Sequence, residues 1–224
     1  MSNLRTFLAV SAASAAIAIA APAGAAVVVG SGDAGTEYTV NFIGQDVSAL
    51  TSVLKLTFTG TSNSGKTYNF QYDLDNTGYA SRVTGFGFNT DPNIVSASAS
   101  GAFNLVAAGQ MPGFGTLEVC FKDGGGTNNC GGGGNGGFTD SGSGIFSLTF
   151  GSAIGSVTLD DLHTRYQSFD YQGIKSDIGI GTTVPAVPEP ATWALMLAGF
   201  GAIGWGMRRR KATDGQPRMR VVYN

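Results

Sequence analysis

Residues 66–76 read KTYNFQYDLDN, and this stretch decides the fold class. Tyr68, Phe70, Tyr72 and Leu74 alternate with more polar residues along it. Successive side chains of a β-strand point to opposite faces of the sheet, so an apolar residue at every second position indicates a strand with one buried face. The stretch therefore predicts a β-strand whose other face meets solvent.

The same pattern recurs along the chain. Further strands are predicted where apolar and polar residues alternate or β-formers cluster, at 37–42, 53–59, 82–89, 117–122, 146–150, 156–162 and 164–169. Turn-forming residues separate them, at 63–66, 75–78, 89–93 and in the glycine tract 124–137. About eight short strands without an amphipathic helix predict an all-β fold, an antiparallel β-sandwich with a jelly-roll or an immunoglobulin-like strand order.

Charge is distributed unevenly over the 224 residues. Residues 26–187 hold six Lys or Arg against thirteen Asp or Glu, a balance of −7, whereas residues 208–224 hold six Lys or Arg and one Asp. Phosphate binding needs clustered cations, so the acidic body excludes nucleic acid as a partner. The terminal cations follow an apolar run, which indicates a membrane instead.

The N-terminus is typical of a secretory signal peptide. Arg5 gives the positive start, residues 7–21 are small and mostly apolar, and residues 23–25 (AGA) fit a cleavage site. We therefore predict a signal peptide at 1–25, export by the Sec route and a β-sandwich ectodomain at 26–184.

Export also bears on the two cysteines, since an oxidising compartment favours disulfides. Cys120 ends a predicted strand on its outward side, and Cys130 lies ten positions later in a loop of glycine and asparagine. A metal site is the alternative, but the chain has no third cysteine and its one histidine, His163, lies in another segment. We predict a Cys120–Cys130 disulfide, no metal and no cofactor.

Candidates for acid–base chemistry are Asp160, Asp161 and His163. Adjacent residues of a strand face opposite ways, which separates the two carboxylates, and the chain has no GxSxG nucleophile motif. A lone histidine between two strands is expected at the surface or the rim. The sequence therefore predicts that the protein is not an enzyme, and a glycan hydrolase is the weakest of the functions considered.

Aromatic rings stack on sugar rings, so exposed tyrosines are candidate glycan contacts. Tyr79, Tyr166 and Tyr171 are the residues that we select on this ground. The alternative is that they pack at the edges of the sandwich.

The C-terminal part reads VPEPATWALMLAGFGAIGWGMRRRK at 187–211. Residues 191–207 form an uncharged run of 17 residues with a tryptophan near each end, and 208–211 are basic. This predicts one short transmembrane helix with its basic end in the cytoplasm, followed by a cytoplasmic tail at 212–224. Pro188 and Pro190 stop this helix from extending outward and keep Val187–Pro190 extended and exposed.

Four features occur here in order, and together they resemble the PEP-CTERM sorting domain in its PEPxxWA variant. They are Pro188-Glu189-Pro190, Trp193-Ala194, the glycines around Phe200 and the run Arg208-Arg209-Arg210. The resemblance covers residues 185–211. The chain departs from the family in continuing for 13 residues after Lys211.

The resemblance implies recognition by an exosortase, an integral-membrane enzyme of Gram-negative bacteria that acts near Pro188–Pro190. The ectodomain would leave a transient inner-membrane anchor for the cell surface or extracellular matrix, often in bacteria that produce exopolysaccharide. Residues 68–92 and 159–169 are similar to cistern-family surface proteins, a resemblance that implies no activity.

These features together predict a structural, exopolysaccharide-associated component of the surface or biofilm matrix. A carbohydrate-binding module or adhesin with a defined glycan site is the alternative.

Overall fold

The computed structural model describes residues 26–126, 128–133, 136–183 and 199–200. The chain divides into two compact units, Met1–Thr183 and Val184–Asn224. The predicted signal peptide lies outside the described residues, as do the PEP motif, Trp193 and the arginine run. Within the described residues, no helix has the length and apolar character needed to cross a membrane.

The described residues of the first unit form eleven strands and one short 3-10 turn, Asn63–Gly65. The strands are β1 (Val27–Gly30), β2 (Glu37–Gly44), β3 (Thr51–Ser62), β4 (Thr67–Asn76), β5 (Arg82–Asp91), β6 (Ser96–Gly101), β7 (Leu105–Met111), β8 (Gly115–Lys122), β9 (Ser141–Thr149), β10 (Ser156–Tyr171) and β11 (Ile174–Thr183). The prediction of an all-β, antiparallel fold is confirmed.

The strands form one continuous sheet where two were predicted. Its order is β6-β9-β4-β3-β2-β11-β10-β5-β8-β7, and β1 pairs with β10. The two end strands, β6 and β7, meet at the short connection 102–104, so the sheet curls until it nearly closes. Alternation of residues shows which side of a strand is buried, but it does not show which strands pair. The predicted sandwich of two sheets was therefore wrong, because the alternation contains no information on strand pairing.

The long strand β10 allows the sheet to bend. Its first part pairs with β1 through Ser156–Leu159, and its second part pairs with β11 from His163 onward. A register shift against β5 falls between Asp160 and His163, and Asp161 has a φ of 49°. Such bulges bend a strand and increase its local twist. The two strands predicted at 156–162 and 164–169 are thus one bent strand.

Aromatic rings fill the space inside the curled sheet. The Phe146 ring lies 4.4 Å from Phe121 and 4.8 Å from Phe70, measured between ring centroids. Buried tyrosine hydroxyls are satisfied: that of Tyr72 accepts from the Phe103 backbone N–H at 2.7 Å, and that of Tyr68 donates to the Ile154 carbonyl at 3.0 Å. We call the side of the sheet that carries these rings the inner face.

A second, smaller apolar cluster lies on the outer face and contains the disulfide. It consists of Ala107, Met111, Leu117, Cys120, Cys130 and Ile178. The predicted Cys120–Cys130 bond is confirmed. Cys120 faces away from the aromatic core, as expected, but it is only 1% exposed because the loop that contains Cys130 covers it. Closing a loop of this length stabilises a fold by about 3 kcal/mol.

Lys122 holds the same loop from the end of β8. The residue is fully buried, and its Nζ donates to the carbonyls of Gly126 and Asn129. Burial lowers the pKa of this ammonium group. The Cys130 backbone N–H donates to the Gln110 carbonyl at 2.9 Å, so the loop also caps part of the open edge of β7.

Phe146 and Ile145 give a matched test of the two faces, because they are adjacent on β9. We expect Phe146→Ala to lower the free energy of unfolding by about 3–5 kcal/mol, since it leaves a cavity among packed rings. Ile145 is 58% exposed, so Ile145→Ala should change the free energy of unfolding by less than about 0.5 kcal/mol. Chemical denaturation of both variants measures the difference, and equal losses would contradict the assignment of the inner face.

Candidate functional site

The outer face carries a cleft where the turn between β7 and β8 lies over β10 and β11. The turn is closed by the Phe114 backbone N–H, which donates to the Met111 carbonyl at 3.0 Å. Cavities of about 250 Å³ and 300 Å³ lie beside the turn, and Gln45 lines both. We call these two cavities together the turn cleft. It combines a buried arginine, a buried aspartate and the chain's histidine.

Arg165 lines the smaller cavity and is 8% exposed. Its Nη1 donates to the Pro112 carbonyl at 2.8 Å, whereas its Nε is buried and finds no acceptor among the described residues. Burial lowers the pKa of the guanidinium, and the nearby Asp177 carboxylate opposes that shift. A buried donor without a partner costs about 1–3 kcal/mol, so the arrangement calls for an explanation.

Asp177 lies beside Arg165 and shapes the same cavity. Its Oδ2 accepts from the backbone N–H groups of Asp46 and Val47 at 3.1 and 3.0 Å, and its Oδ1 accepts from Ile178 at 2.8 Å. These bonds fix the loop between β2 and β3 against β11. The Asp177 carboxylate is therefore engaged in positioning the wall of the cavity, and it supplies a negative charge close to Arg165.

His163 lies beneath Phe114 in the larger cavity. The two rings stack with centroids 3.7 Å apart and planes inclined by 28°. His163 is 5% exposed, and its Nδ1 donates to the Asp161 carbonyl at 2.7 Å. Burial lowers the pKa of the imidazole. The prediction of a surface or rim histidine was wrong, because the turn that carries Phe114 folds over it.

The structure does not bring Asp160, Asp161 and His163, the candidates for acid–base chemistry, together in one cavity. The Asp161 carboxylate accepts from the Asn89 amide at 2.9 Å and lines the larger cavity. Asp160 is absent from the lining of both cavities, and its Oδ1 is buried without a partner among the described residues. Burial first, and then the charges of Asp161 and Asp91, raise the pKa of Asp160.

Two of the three tyrosines selected as glycan contacts lie together. The Tyr79 and Tyr171 rings meet edge to face, with centroids 5.4 Å apart, and the Tyr79 hydroxyl donates to the Asp170 carbonyl at 3.1 Å. Tyr79 is 41% exposed. Tyr166 is fully buried and its hydroxyl lies 2.7 Å from the Ser52 hydroxyl, so the prediction of a glycan contact at Tyr166 is wrong.

Metal chemistry has no visible basis in the part of the chain that the structure describes. No group of three or more His, Cys, Asp or Glu side chains lies there in an arrangement that could hold an ion. Sequence reasoning overlooked Phe114 and Arg165, which are far apart in the chain. An aromatic residue inside the turn sequence PGFG at 112–115 was the available signal.

Comparison with known families places the C-terminal segment. Residues 186–211 match the family model of the PEP-CTERM protein-sorting motif. The chain carries a PEP-CTERM sorting signal. The matched range includes Pro188, Glu189, Pro190, Trp193 and the run Arg208–Arg210, the residues predicted for this motif.

The PEP-CTERM signal indicates secretion, membrane-associated passage to the cell surface and processing by an exosortase. No curated protein and no solved structure matches the chain. The resemblance of the ectodomain to the cistern family stays a prediction.

The buried His163 predicts a pH-dependent stability that one substitution removes. Because burial places its folded pKa below the ordinary 6.5, the unfolded chain takes up a proton at higher pH than the folded one. The free energy of unfolding should fall as the pH drops below 6.5, with a slope of up to about 1.4 kcal/mol per pH unit. His163 is the single histidine, so His163→Gln should abolish this slope.

Denaturation between pH 5.5 and 7.5 measures the slope in both proteins. Asp160, whose raised pKa acts in the opposite direction, is common to both and cancels in the comparison. Equal slopes in the wild type and His163→Gln would contradict the coupling.

Proposed function

We propose that the protein is an exopolysaccharide-associated structural component of the bacterial surface or extracellular matrix, and that it has no catalytic activity. The sorting signal at 186–211 supports the surface destination. Two contacts support the non-catalytic role. The His163 ring is stacked against Phe114, and the Asp161 carboxylate accepts a hydrogen bond from the Asn89 amide. Association with polysaccharide is supported by one outer surface of the sheet.

That surface is a grid of hydroxyl and amide groups on β4, β9 and β6. Register places Thr67, Thr149 and Ser96 in one row and Asn69, Ser147 and Ser98 in the next. We call these six residues the hydroxyl face. Neighbouring strands lie about 4.8 Å apart, so the groups repeat at a fixed spacing on a rigid support. The strands β9 and β6 contain no charged residue.

Hydrogen bonds organise the hydroxyl face across the strands. Thr67 Oγ1 lies 3.1 Å from Thr149 Oγ1, and Ser98 Oγ lies 2.7 Å from Ser147 Oγ. Hydroxyl groups both donate and accept, so each retains capacity for a further bond to a ligand hydroxyl. A neutral polysaccharide offers the complementary repeat of hydroxyls. Each contact is weak, and many contacts along one polymer chain supply the avidity.

A second candidate function is a carbohydrate-binding module with a defined site at Tyr79 and Tyr171. The observation in its favour is the edge-to-face pair at 5.4 Å with Tyr79 exposed. An exposed ring held by a neighbour is a suitable platform for a sugar ring. This function differs from the first in requiring saturable binding that depends on one aromatic side chain.

The sorting function predicts a specific mature species. Intact mass of the protein from the outer fraction of its host should show a chain that starts near Ala26 and ends near Pro188–Pro190. This species should vanish when the exosortase gene is deleted or when Pro188→Ala and Pro190→Ala are combined. Arg218→Ala, downstream of the matched range, serves as the control and should be processed normally. A chain that keeps residues 193–224 in every strain would contradict exosortase processing.

The two functions separate in a retention experiment on insoluble polysaccharide from the host matrix. We expect Ser98→Ala combined with Ser147→Ala to lower the retained fraction severalfold, because one of the two rows of the hydroxyl face loses both of its hydroxyls. Ser156→Ala, an exposed serine on another strand, is the control and should be neutral. Loss of retention in Tyr79→Ala alone would favour the defined site, and unchanged retention in the double variant would contradict the hydroxyl face.

A further inference from the structure

We propose that the turn cleft binds one unit of a neutral sugar, with Phe114 as the stacking platform and Arg165, beside the same turn, as the hydrogen-bond donor. This inference rests on the proposed association with polysaccharide, but it places a defined site away from the hydroxyl face and from the tyrosine pair. Three observations carry it: an exposed ring supported from below, a buried guanidinium whose Nε has no acceptor among the described residues, and the charges around both.

Phe114 is 40% exposed although a phenylalanine in a turn has the freedom to fold inward. His163 covers one face of its ring at 3.7 Å, so the exposed part lies on the opposite face and edge. Gly113 before it has a φ of 98°, and a side chain there would meet Ile178 at 3.4 Å. The backbone and the imidazole together hold the ring in a fixed orientation. The apolar C–H face of a pyranose is the surface that such a platform fits.

The guanidinium of Arg165 supplies directional donors next to this platform. Nη1 is engaged by the Pro112 carbonyl, which leaves the side edge of the group, formed by Nε and Nη2. Two parallel N–H bonds on that edge suit a pair of oxygen acceptors, as in a carboxylate or in two neighbouring hydroxyls. Nε, for which the described residues offer no acceptor, is the donor that such a ligand would complete.

Charge decides between the two kinds of ligand. The cavity that contains Arg165 is also lined by Asp46 and Asp177, and Asp161 lines the other cavity together with Phe114. The turn cleft as a whole is therefore lined by one cation and three carboxylates, in a body that is acidic as a whole. A uronate or another anion would meet net repulsion, whereas neighbouring hydroxyls of a neutral sugar would not. Asp46 and Gln45, both exposed, provide acceptors for the protons of such hydroxyls.

The size of the site limits the ligand. The cavities have volumes of about 250 and 300 Å³; Phe114 lines the larger one, Pro112 and Gly113 of the same turn line the smaller one, and Gln45 lines both. Ligand pockets for small molecules typically have volumes of about 300–1,000 Å³. The turn cleft therefore has room for one sugar unit, presented by a longer chain that passes over Phe114.

Binding of soluble oligosaccharides to the full-length protein tests the proposal. The probes are cellohexaose, mannohexaose and galactohexaose, with oligogalacturonate of the same length as the acidic comparison. The His163 ring resonances report on events at Phe114, and calorimetry gives the dissociation constant. We expect at least one neutral hexamer to bind with millimolar affinity or better, to shift the His163 signals and to bind more tightly than oligogalacturonate.

Variants separate the parts of the site. Phe114→Ala should weaken binding at least tenfold, and Phe114→Tyr, which keeps the ring, should stay within about threefold of wild type. Arg165→Lys keeps the charge but removes the two parallel N–H donors of Nε and Nη2, so we expect the binding affinity to fall about tenfold. Val95→Ala replaces an exposed apolar residue outside the cleft and should have no effect. Denaturation of each variant checks that it is folded.

The proposal is overturned if no neutral hexamer binds, if oligogalacturonate binds more tightly, or if Phe114→Ala binds as the wild type does. Retention on host polysaccharide distinguishes its failure from failure of the proposed function. Retention lost in the serine double variant but kept in Phe114→Ala would leave the matrix role intact and exclude this site.

Discussion

Packing of aromatic rings against one another inside a curled sheet is the interaction on which the rest of the structure depends. Phe146 contacts rings from β4 and β8, which lie in opposite halves of the strand order, and so links them across the interior. Rings bury large areas and gain further from tilted and stacked geometries. A sheet of this width curls because both halves must reach the same rings. Without the aromatic rings on the inner face, no interaction would draw the two halves of the sheet together.

Burial of every aromatic core residue on one face leaves the other face free for different purposes. One part of it, the hydroxyl face on β4, β9 and β6, consists of six uncharged residues that carry hydroxyl or amide groups. Another part, on β10 and β11, is covered by the turn that carries Phe114. The first suits weak and repeated contact with a polymer, and the second suits one oriented contact with a single unit of it. The same closed sheet supports both because neither takes part in the core.

Sequence alone predicted the strands whose alternation is strong, such as β3, β4, β8 and β9. It did not find β1, β6, β7 or β11. In β6 (SASASG) and β7 (LVAAGQM), small residues give little contrast between the two faces. It divided β10 in two, because the bulge at Asp161 interrupts the period. Pairing of Cys120 with Cys130 was predictable from the compartment and the spacing. Tyr166 was misjudged because a period of two does not show which strands surround a residue.

The turn cleft lay beyond sequence reasoning for a related reason. Arg165, Asp177 and Phe114 come from three segments, and only the register of β10 with β11 and the fold of the turn bring them together. The glycine loop adds a consequence of another kind. Cys130 covers Cys120 and caps the edge of β7, and this bond forms only in an oxidising compartment. In the cytoplasm the two thiols stay reduced, so the loop is not bonded to β8 there. The loop therefore becomes fixed against β8 and the edge of β7 only after export.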